Sequence, residues 1–498
     1  MQSPNNITTM FEQLSVSVSP TQYHWQPTVS SPILPKSSNL QQYIILRRLI
    51  KVLPILLPYI PTRDLHQLQL VCRSIDPYIQ RYVWKRPSFH NDSMHDALTL
   101  FQRFLQRLPD MRPSTRQAIR ELYLTPMEES LYERVPKDFF RTLVQYTNNL
   151  SHLNMSRATF FSSASLPPNH WQWQQLTSLD LSYVEHLTDP LLVKLATSLP
   201  QLRLVRLDGT RVNHGVSQLA YHCDHLSSLS LKHTSLTDEA LTGIAKFRTI
   251  HITELDISAC RHLSSASLDI LARYCIHLTW LGLAYTSISL ETLRRLDHRY
   301  WKYLDIAHCH WLHQHMTTSS SSLASNEKEI TSYRHDILAP SSSSPTSFPS
   351  PRSLYDLIIS APQLQHLSVS MPVVQHLLSV RHDLQQKEKL VDVNNASSSH
   401  VRYLVLHDLP EQTPISFLDD LQLLFPKARH IKLVRGYYES DSLLGSYSSD
   451  IQDAFNHTVI TEESIKDYCS KARQSSPFSV VSIVLEQHRE LLEGQSMW

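Results

Sequence analysis

The stretch that decides the fold is LSSLSL at residues 226–231, which recurs as LTWLGL at residues 278–283 and as LTSLDL at residues 176–181. Each copy has apolar residues at its first, fourth and sixth positions. The fourth and sixth positions are two residues apart, a period that directs both side chains to one face of a β-strand. The phrase therefore predicts a short strand with one buried face wherever it occurs.

The phrase occurs eleven times, and in six consecutive copies the fourth positions lie 26, 24, 26, 26 and 23 residues apart. This period is typical of leucine-rich repeats rather than of arrays built only from helices. A last apolar run, Val480 to Leu485, predicts a twelfth strand. The fourth-position residues are Leu122, Leu153, Leu179, Val205, Leu229, Leu255, Leu281, Leu304, Leu367, Leu404 and Ile431.

The residues between two strands have helical spacing. In residues 237–245, Thr237 or Asp238 is the expected N-terminal cap, and residues 241, 244 and 245 are apolar at helical intervals. Alternating strands and helices predict an α/β fold, a curved right-handed solenoid with a parallel sheet on its concave side and helices on its convex side. We expect this fold over residues 91–498.

These repeats resemble the cysteine-containing leucine-rich repeats, in which Cys or Leu ends a helix before the next strand and Leu-Thr-Asp opens the helix. The resemblance covers residues 115–310 well and residues 355–435 more loosely. The matching residues are Cys223, Cys260, Cys275 and Cys309, with the phrase Leu-Thr-Asp at 187–189 and 236–238.

Two insertions interrupt the repeat period. The first, residues 313–352, is rich in Ser and Pro, and the second, residues 383–400, contains an Asn-Asn-Ala-Ser-Ser-Ser run. Segments of this composition bury too little apolar surface to offset the entropy lost on ordering. Both insertions, and residues 1–40, are predicted to be disordered.

Residues 41–90 carry a different pattern, which predicts three short amphipathic helices. Asp64 is the expected cap of the second helix, and Asp76-Pro77 should end it and begin the third, because Pro suits the first helical turn. The apolar positions of the second helix are Leu65, Leu68, Cys72 and Ile75.

This segment resembles an F-box, through Asp64-Leu65, the run LQLVCR at residues 68–73 and the closing Trp84. It departs from the family pattern at the front, where Leu53-Pro54 lies eleven residues before Asp64 and no acidic residue follows it. The resemblance implies docking on the Skp adaptor of a cullin-RING ubiquitin ligase through an apolar helical interface. The implied contacts are Leu53, Pro54, Leu56, Leu57, Ile60, Leu65, Leu68 and Trp84.

The two resemblances together imply the substrate-recognition subunit of a Skp–cullin–F-box ligase, which promotes ubiquitination and proteasomal degradation of a protein target. The alternative is a ligase-independent scaffold or regulator, in which residues 41–90 only cap the open end of the solenoid. One version of that alternative is a GTPase activator, which needs an exposed arginine against phosphate, and Arg206 and Arg211 are its candidates.

Side chains on either side of each fourth-position residue are expected on the concave face, because neighbours along a strand alternate in direction. Aromatic residues there are candidate anchors, since such residues are enriched where interfaces gain most of their energy. Aspartates recur at one repeat position, at 180, 256 and 305, and predict an acidic row. The predicted target contacts are Arg206, Asp256, Trp280, Tyr303, Asp305 and Tyr403.

The composition of the chain argues against several classes of function. With 46 Lys and Arg against 45 Asp and Glu, the formal charge is +1, which gives no electrostatic footprint for nucleic acid. None of the seven glycines has the spacing of a dinucleotide fingerprint, a P-loop or a nucleophile elbow. We therefore expect neither an enzyme site nor a cofactor.

Two histidine-rich runs, residues 308–315 and residues 222–225, contain Cys309 and Cys223, but neither has established zinc spacing. We expect no metal. The N-terminus has no signal-peptide pattern, and the apolar stretch from Ile44 to Ile60 is interrupted by charges and prolines. The expected location is cytoplasmic, nuclear or both, without membrane attachment.

Overall fold

A computed structural model describes residues 37–71, 74–89, 96–125, 139–158, 173–247, 252–287, 290–296, 298–309, 354–388, 399–436, 459–475 and 482–487. They form two compact units. The first unit extends to Thr210 and includes His222–His225, and the second comprises Arg211–Tyr221 and the chain from Leu226 onward.

The first unit begins with helices and continues with strands that alternate with helices. Its elements are α1 (Ser37–Leu56), α2 (Thr62–Val71), α3 (Asp76–Lys85), α4 (Ala97–Arg107), α5 (Pro113–Ala118), β1 (Glu121–Tyr123), α6 (Phe139–Tyr146), β2 (His152–Asn154), β3 (Ser178–Asp180), α7 (Asp189–Ser198) and β4 (Leu204–Arg206). Short 3-10 turns follow α1 at Leu57–Tyr59 and α4 at Leu108–Asp110.

The second unit continues the alternation of strand and helix. Its elements are α8 (Gly215–His222), β5 (Ser228–Ser230), α9 (Asp238–Phe247), β6 (Glu254–Asp256), α10 (Ser265–Tyr274), β7 (Trp280–Gly282), α11 (Leu290–Arg295), β8 (Tyr303–Asp305), α12 (Leu354–Ser360), β9 (His366–Ser370), α13 (Met371–Glu388), β10 (Tyr403–Leu409), α14 (Phe417–Leu424), β11 (His430–Arg435), α15 (Glu462–Ser475) and β12 (Ser482–Gln487).

The strands pair in parallel and in sequence order, from β1 to β4 in the first unit and from β5 to β12 in the second. Their register places each fourth-position residue beside the next, as in Leu255 beside Leu281 and Leu281 beside Leu304. All three apolar positions are buried in all eleven copies of the phrase. The predicted α/β leucine-rich-repeat fold is confirmed, and the twelfth strand, β12, pairs with β11.

A tight turn follows the strand in most repeats. The residue two positions after the sixth position has positive φ in eight repeats, for example Tyr183 at 59° and Tyr285 at 56°. In five of these repeats its N–H donates to a carbonyl of the following repeat, as in Tyr285 N to Ala307 O at 3.0 Å, and the N–H of His308 donates to Ser370 Oγ at 2.9 Å. Such turns connect a strand to the following helix, and backbone hydrogen bonds hold them to the next repeat.

The cysteines of the repeats are buried and hydrogen-bonded to backbone. The thiol of Cys260 donates to Leu231 O at 3.0 Å, and the thiol of Cys309 donates to Leu283 O at 3.1 Å. Burial raises the pKa of Cys309 to about 12, so the thiol keeps the proton that it donates. Cys at these positions thus satisfies a carbonyl of the preceding repeat, which gives the cysteine pattern a structural role.

Helix α9 shows how a repeat helix begins. The Oγ1 of Thr237 accepts the N–H of Ala240 at 3.4 Å, which makes Thr237 the cap, although the two atoms are far apart for such a bond. Asp238 instead accepts hydrogen bonds from Ser264 and Ser267 of the next repeat. Of the two caps that the sequence left open, the structure has Thr237, and Asp238 links neighbouring helices.

The N-terminal helices differ from the predicted ones at their boundaries. Helix α1 begins at Ser37, within the segment predicted to be disordered, and α2 begins at Thr62 rather than after Asp64. The carbonyl of Pro61 accepts the N–H of Asp64 at 2.9 Å, so the first turn is already formed when the chain reaches Asp64. The expected cap role of Asp64 was therefore wrong, whereas α3 begins at Asp76 as predicted.

Helices α4 and α5 lie in the segment that was assigned wholly to the repeats. Asp96 caps α4 by accepting Thr99 N–H at 2.8 Å, and this helix buries Phe101 and Phe104. Phe89 packs edge-on against both rings, with centroids 5.3 Å away from each. The helical region ahead of the first strand is therefore longer than 41–90.

Of the predicted insertions, residues 313–352 and most of residues 1–40 lie outside the described residues. Helix α13 continues to Glu388, so the first residues of the predicted insertion 383–400 are helical, and residues 389–398 lie outside the described part. Within the described helices, none combines the length and the hydropathy that crossing a bilayer needs.

Leu281→Ala should lower the free energy of unfolding by about 2–5 kcal/mol, because it leaves a cavity at a fully buried strand position. The matched control is Leu423→Ala, since the Leu423 side chain is 60% exposed on α14 and should change stability by less than about 0.5 kcal/mol. Urea denaturation followed by circular dichroism measures both variants. Equal effects would contradict the assignment of the core.

Candidate protein-interaction face

The second unit has a row of aromatic rings on the residue just before each buried fourth-position residue. The parallel register places Trp280 of β7 beside Tyr303 of β8, and the row continues through β9, β10 and β11. We call these five residues the aromatic ladder: Trp280, Tyr303, His366, Tyr403 and His430.

Neighbouring rings of the ladder stack on one another. Trp280 and Tyr303 have centroids 4.3 Å apart at 12°, His366 and Tyr403 are 4.3 Å apart at 3°, and Tyr403 and His430 are 4.7 Å apart at 11°. Tyr303 and His366 are more tilted, at 6.1 Å and 34°. Strands about 4.8 Å apart bring identical positions to stacking distance, so the register itself builds the ladder.

Stacking decides which part of each ring a partner can reach. Tyr303, His366 and Tyr403 each have a ring on both sides, so their faces are covered and they present edges and polar atoms. Tyr403 is the most exposed member, at 40%, and the other four are partly buried. At the far end His430 Nδ1 lies 2.8 Å from Ser482 Oγ. The ladder is a rigid surface that needs no ordering when a partner binds.

The predicted acidic row has a structural explanation. Asp180, Asp256 and Asp305 each accept the backbone N–H of the residue two positions later, at 3.0, 3.0 and 3.1 Å. These bonds hold the turn that follows each strand, in the manner of an Asx turn. The recurrence of aspartate is therefore accounted for by the backbone, without a partner.

Asp256 was predicted to contact the target on the concave face, but its side chain is buried. It is 2% exposed, and its Oδ2 lies 2.7 Å from Lys232 Nζ. The absence of a side chain at Gly282 leaves room for this carboxylate, because a Cβ there would overlap it. Asp256 is therefore held beneath the face by an ion pair and is not accessible to a partner.

Several charges surround the Trp280 end of the ladder. Lys232 Nζ lies 5.9 Å from the centroid of the Trp280 ring. Burial, with Asp305 and Asp256 nearby, raises the pKa of Tyr303, so this phenol stays protonated. Burial also raises the pKa of Asp305, against the opposing effect of its hydrogen bonds.

A second polar cluster lies at the turns after β8 and β10. The ring of His308 stacks on Tyr285 at 4.2 Å, its Nδ1 lies 2.9 Å from Asp408 Oδ2, and His407 Nε2 lies 3.2 Å from Ser368 Oγ. Sequence analysis did not group these residues, although Tyr285, His308 and Asp408 hold the same positive-φ position of their repeats. Ser368 is 3% exposed, so a substrate cannot reach its hydroxyl.

The histidine-rich runs considered for metal binding do not assemble a site in the part of the chain that the structure describes. Cys223 and Cys309 donate their thiols to backbone carbonyls. Within the described ranges, no three His, Cys, Asp or Glu side chains lie close enough together to hold a metal ion. His310, His313 and His315 lie outside those ranges.

The implied Skp contacts fall into two groups. Leu53, Leu57 and Leu65 are buried in the core of the first helices with Ile75 and Ile79, Trp84 is also buried, and Ile60 and Leu68 pack partly against that core. Pro54 and Leu56 are exposed. The buried members therefore build the helical domain, and a partner meets other side chains.

Those other side chains form an exposed apolar surface on α1 and the turn after it. Val52, Ile55 and Tyr59 are 45%, 67% and 83% exposed. Sequence reasoning missed them because it assigned a single apolar face to each helix, whereas α1 also carries exposed apolar side chains interleaved with the exposed basic residues Arg47, Arg48 and Lys51. We call this set the α1 surface: Ile44, Leu49, Val52, Ile55, Leu56 and Tyr59.

The two arginines considered for a GTPase activator are both exposed. Arg206 ends β4 in the first unit, and Arg211 lies in the loop before α8 in the second. No contact in the described residues singles out either guanidinium for phosphate. Neither residue belongs to the aromatic ladder.

Comparison with known proteins gives no family and only distant structures. No family model and no curated protein matches the chain. The structure is similar to an internalin of Listeria monocytogenes (14% identity, TM-score 0.28), with 59% of this chain aligned to 64% of that one. It is also similar to the yeast complex of Rad7 and Elc1, at 13% sequence identity and a TM-score of 0.35. In that comparison 81% of this chain aligns with 94% of the other. A third similar structure is a leucine-rich-repeat protein of Leptospira interrogans, at 13% sequence identity and a TM-score of 0.30. Here 67% of this chain aligns with 76% of the other.

These similarities are too low to carry a function. The class of this chain rests on its own geometry, which consists of parallel strands in register, a fully buried repeat phrase and a helix after most strands. The chain is a leucine-rich-repeat protein by its fold, and repeat solenoids of this kind offer an extended sheet face as a binding surface.

The stacking of Trp280 on Tyr303 should appear as a coupling energy of about 0.5–1.5 kcal/mol in a double-mutant cycle of Trp280→Leu and Tyr303→Leu. The control cycle combines Trp280→Leu with Tyr403→Leu, which lies three strands away, and should be additive within about 0.5 kcal/mol. Urea denaturation supplies the four free energies of each cycle. Additivity in the first cycle would contradict the ladder.

Gly282→Ala should destabilise the fold by about 1–3 kcal/mol, because the new Cβ displaces the Asp256 carboxylate from its place beside Lys232. Asp256→Ser in the Gly282→Ala background should recover part of the loss by making room. Thermal unfolding of the three variants measures the effect. A Gly282→Ala variant as stable as wild type would show that the carboxylate does not need this space.

Proposed function

We propose that this chain is the substrate-recognition subunit of a Skp–cullin–F-box ubiquitin ligase. Its N-terminal helices bind the Skp adaptor, and its aromatic ladder binds the protein to be ubiquitinated. The observation that carries the proposal is the α1 surface, an apolar helix side left uncovered on a domain whose sequence resembles an F-box.

Of the described positions that match the F-box pattern, Leu65 and Trp84 are buried and Leu68 packs against the core that contains Leu65, whereas Asp64 is exposed. A domain that keeps its pattern residues inside must bind through its remaining surface. The match therefore supports the fold of the domain, and the α1 surface supports its use in binding.

The α1 surface is suited to a helical apolar partner. At about 100° per residue, Ile44, Val52 and Ile55 lie within about 80° of one another on α1. Leu53 lies on the opposite side, in the core. Helix α1 thus has apolar side chains on two sides, with the exposed Arg48 between Ile44 and Val52. Exposed apolar side chains gathered on one helix mark a site of interaction. Burying Val52 and Ile55 alone would contribute a few kcal/mol.

The chain would act by proximity and supply no chemistry of its own. The Skp adaptor holds one end and the target occupies the ladder, which raises the concentration of the target near the ubiquitin-loaded enzyme.

The scaffold alternative also has an observation in its favour. The backbone N–H of Arg120 donates to Lys85 O at 3.0 Å, and Lys85 Nζ lies 3.0 Å from Glu121 Oε1 of β1. The guanidinium of Arg86 lies 3.9 Å above the Tyr123 ring. The end of α3 therefore covers the first strand, as a cap would. A cap leaves the α1 surface without a use, so the two functions can be separated by experiment.

Val52→Asp/Ile55→Asp should weaken binding of the Skp adaptor by about tenfold or more, because a charge at the centre of an apolar interface loses its solvation. Both residues are exposed, so the melting temperature should remain that of wild type. Co-purification from cells that express the adaptor, followed by titration with the purified adaptor, provides the measurement.

The matched control compares single variants. Ile55→Asp should weaken the complex, whereas Leu423→Asp, at a similarly exposed apolar residue on α14, should not. Failure of the wild-type chain to bind the adaptor would contradict the proposal and favour the scaffold. Binding that survives in the folded double variant would place the contact elsewhere.

A further inference from the structure

We propose that the Trp280 end of the aromatic ladder binds an arginine side chain of the protein partner. The guanidinium would lie between the open face of the Trp280 ring and the carboxylate of Glu254. This inference rests on the proposed use of the ladder for target recognition, and it names the chemistry of the target.

Trp280 is an end member of the ladder and has a ring on one side only, whereas the other end member, His430, has Ser482 beside it. Tyr303 covers the side toward β8. On the other side, the register pairs Trp280 with Glu254 of β6, about one strand spacing away. The side chain of Glu254 therefore occupies the position that an aromatic ring holds in the next repeats, and no ring stacks on the indole face of Trp280 toward β6.

The protein itself already places a cation near this face. Lys232, which follows β5, reaches toward Trp280 until its Nζ is 5.9 Å from the ring centroid, while it pairs with Asp256 at 2.7 Å. The face of an aromatic ring attracts cations, and a nearby carboxylate strengthens that attraction. The ion pair with Asp256 holds Lys232 there, so a cation from a partner would share this end of the ladder with it.

One carboxylate remains for a partner. Glu254 is exposed, and among the described residues it has no ion pair or side-chain hydrogen bond, whereas Asp256 is satisfied by Lys232. Asp305 adds a third carboxyl group beside Tyr303. Asp256 and Lys232 offset each other, and burial raises the pKa of Asp305, so Glu254 is the exposed carboxylate that favours a cationic side chain at this end of the ladder.

Arginine fits this place better than other cations. Its guanidinium is planar and weakly hydrated, so it can stack on the indole while its edge donates hydrogen bonds to Glu254. Lysine offers a more strongly hydrated point charge and stacks less well. Nucleic acid is disfavoured, because its phosphates would approach the same carboxylates. The structure thus points to a protein segment that carries arginine.

The test uses the full-length chain and an array of nonapeptides that are random except for a central Arg, Lys, citrulline or Glu. Citrulline has the shape of arginine without its charge. The wild-type chain should bind Arg peptides about fivefold more than citrulline peptides, with Lys between them and Glu lowest. Glu254→Gln should bring the Arg-to-citrulline ratio close to one, as should Trp280→Leu.

The control variants keep the rest of the face or change a distant charge. Trp280→Phe should retain part of the preference, because a smaller ring remains. Glu185→Gln, an exposed carboxylate in the first unit, should leave the ratio unchanged. Tyr403→Leu removes another ladder member and should also preserve the ratio. An absent Arg preference in the wild type, including no detectable binding, would overturn the inference, as would a ratio that survives Glu254→Gln.

Two results separate this inference from the proposed ligase function. Val52→Asp/Ile55→Asp should keep the full Arg preference, because the α1 surface takes no part in it. A wild-type chain that selects arginine without binding the Skp adaptor would refute the ligase function alone. Adaptor binding without arginine selection would refute the inference alone.

Discussion

The structure depends on one constraint, the parallel register that places each fourth-position residue of the repeat beside the next. Because Leu255, Leu281 and Leu304 align, every other position of the phrase aligns as well. The buried side forms a continuous apolar core, and the outward side forms continuous rows. The aromatic ladder is one of these rows, so the interaction face is a direct consequence of the packing that stabilises the fold.

Much of the fold could be predicted because its signal repeats. Eleven copies of one phrase determine strand, burial and register together, and all were found buried. The N-terminal helices carry no repeat, and there the sequence misplaced the start of α1 and the cap of α2. A cap depends on which carbonyl accepts the first N–H, and Pro61 takes that role through backbone geometry that residue type does not reveal.

The sequence predicted several residues of the interaction face, but it did not predict what each residue does there. Trp280, Tyr303 and Tyr403 were identified as outward-facing, and their stacking with His366 and His430 follows from register. The role of the aspartates could not be foreseen, because it depends on the positive-φ turn whose N–H groups they accept. The α1 surface was missed for a different reason, since apolar residues on both sides of a helix look like core when the neighbours are unknown.

A ladder of stacked rings limits what a partner can gain from it. The inner rings stack on one another, so they offer edges and polar atoms to a partner rather than open faces. A different environment arises where the stack ends and a charged residue stands next to it. In the second unit that position is Trp280, where the row passes from aromatic rings to Glu254 within one strand spacing. The regularity that makes the face rigid therefore concentrates its selectivity at the irregular end.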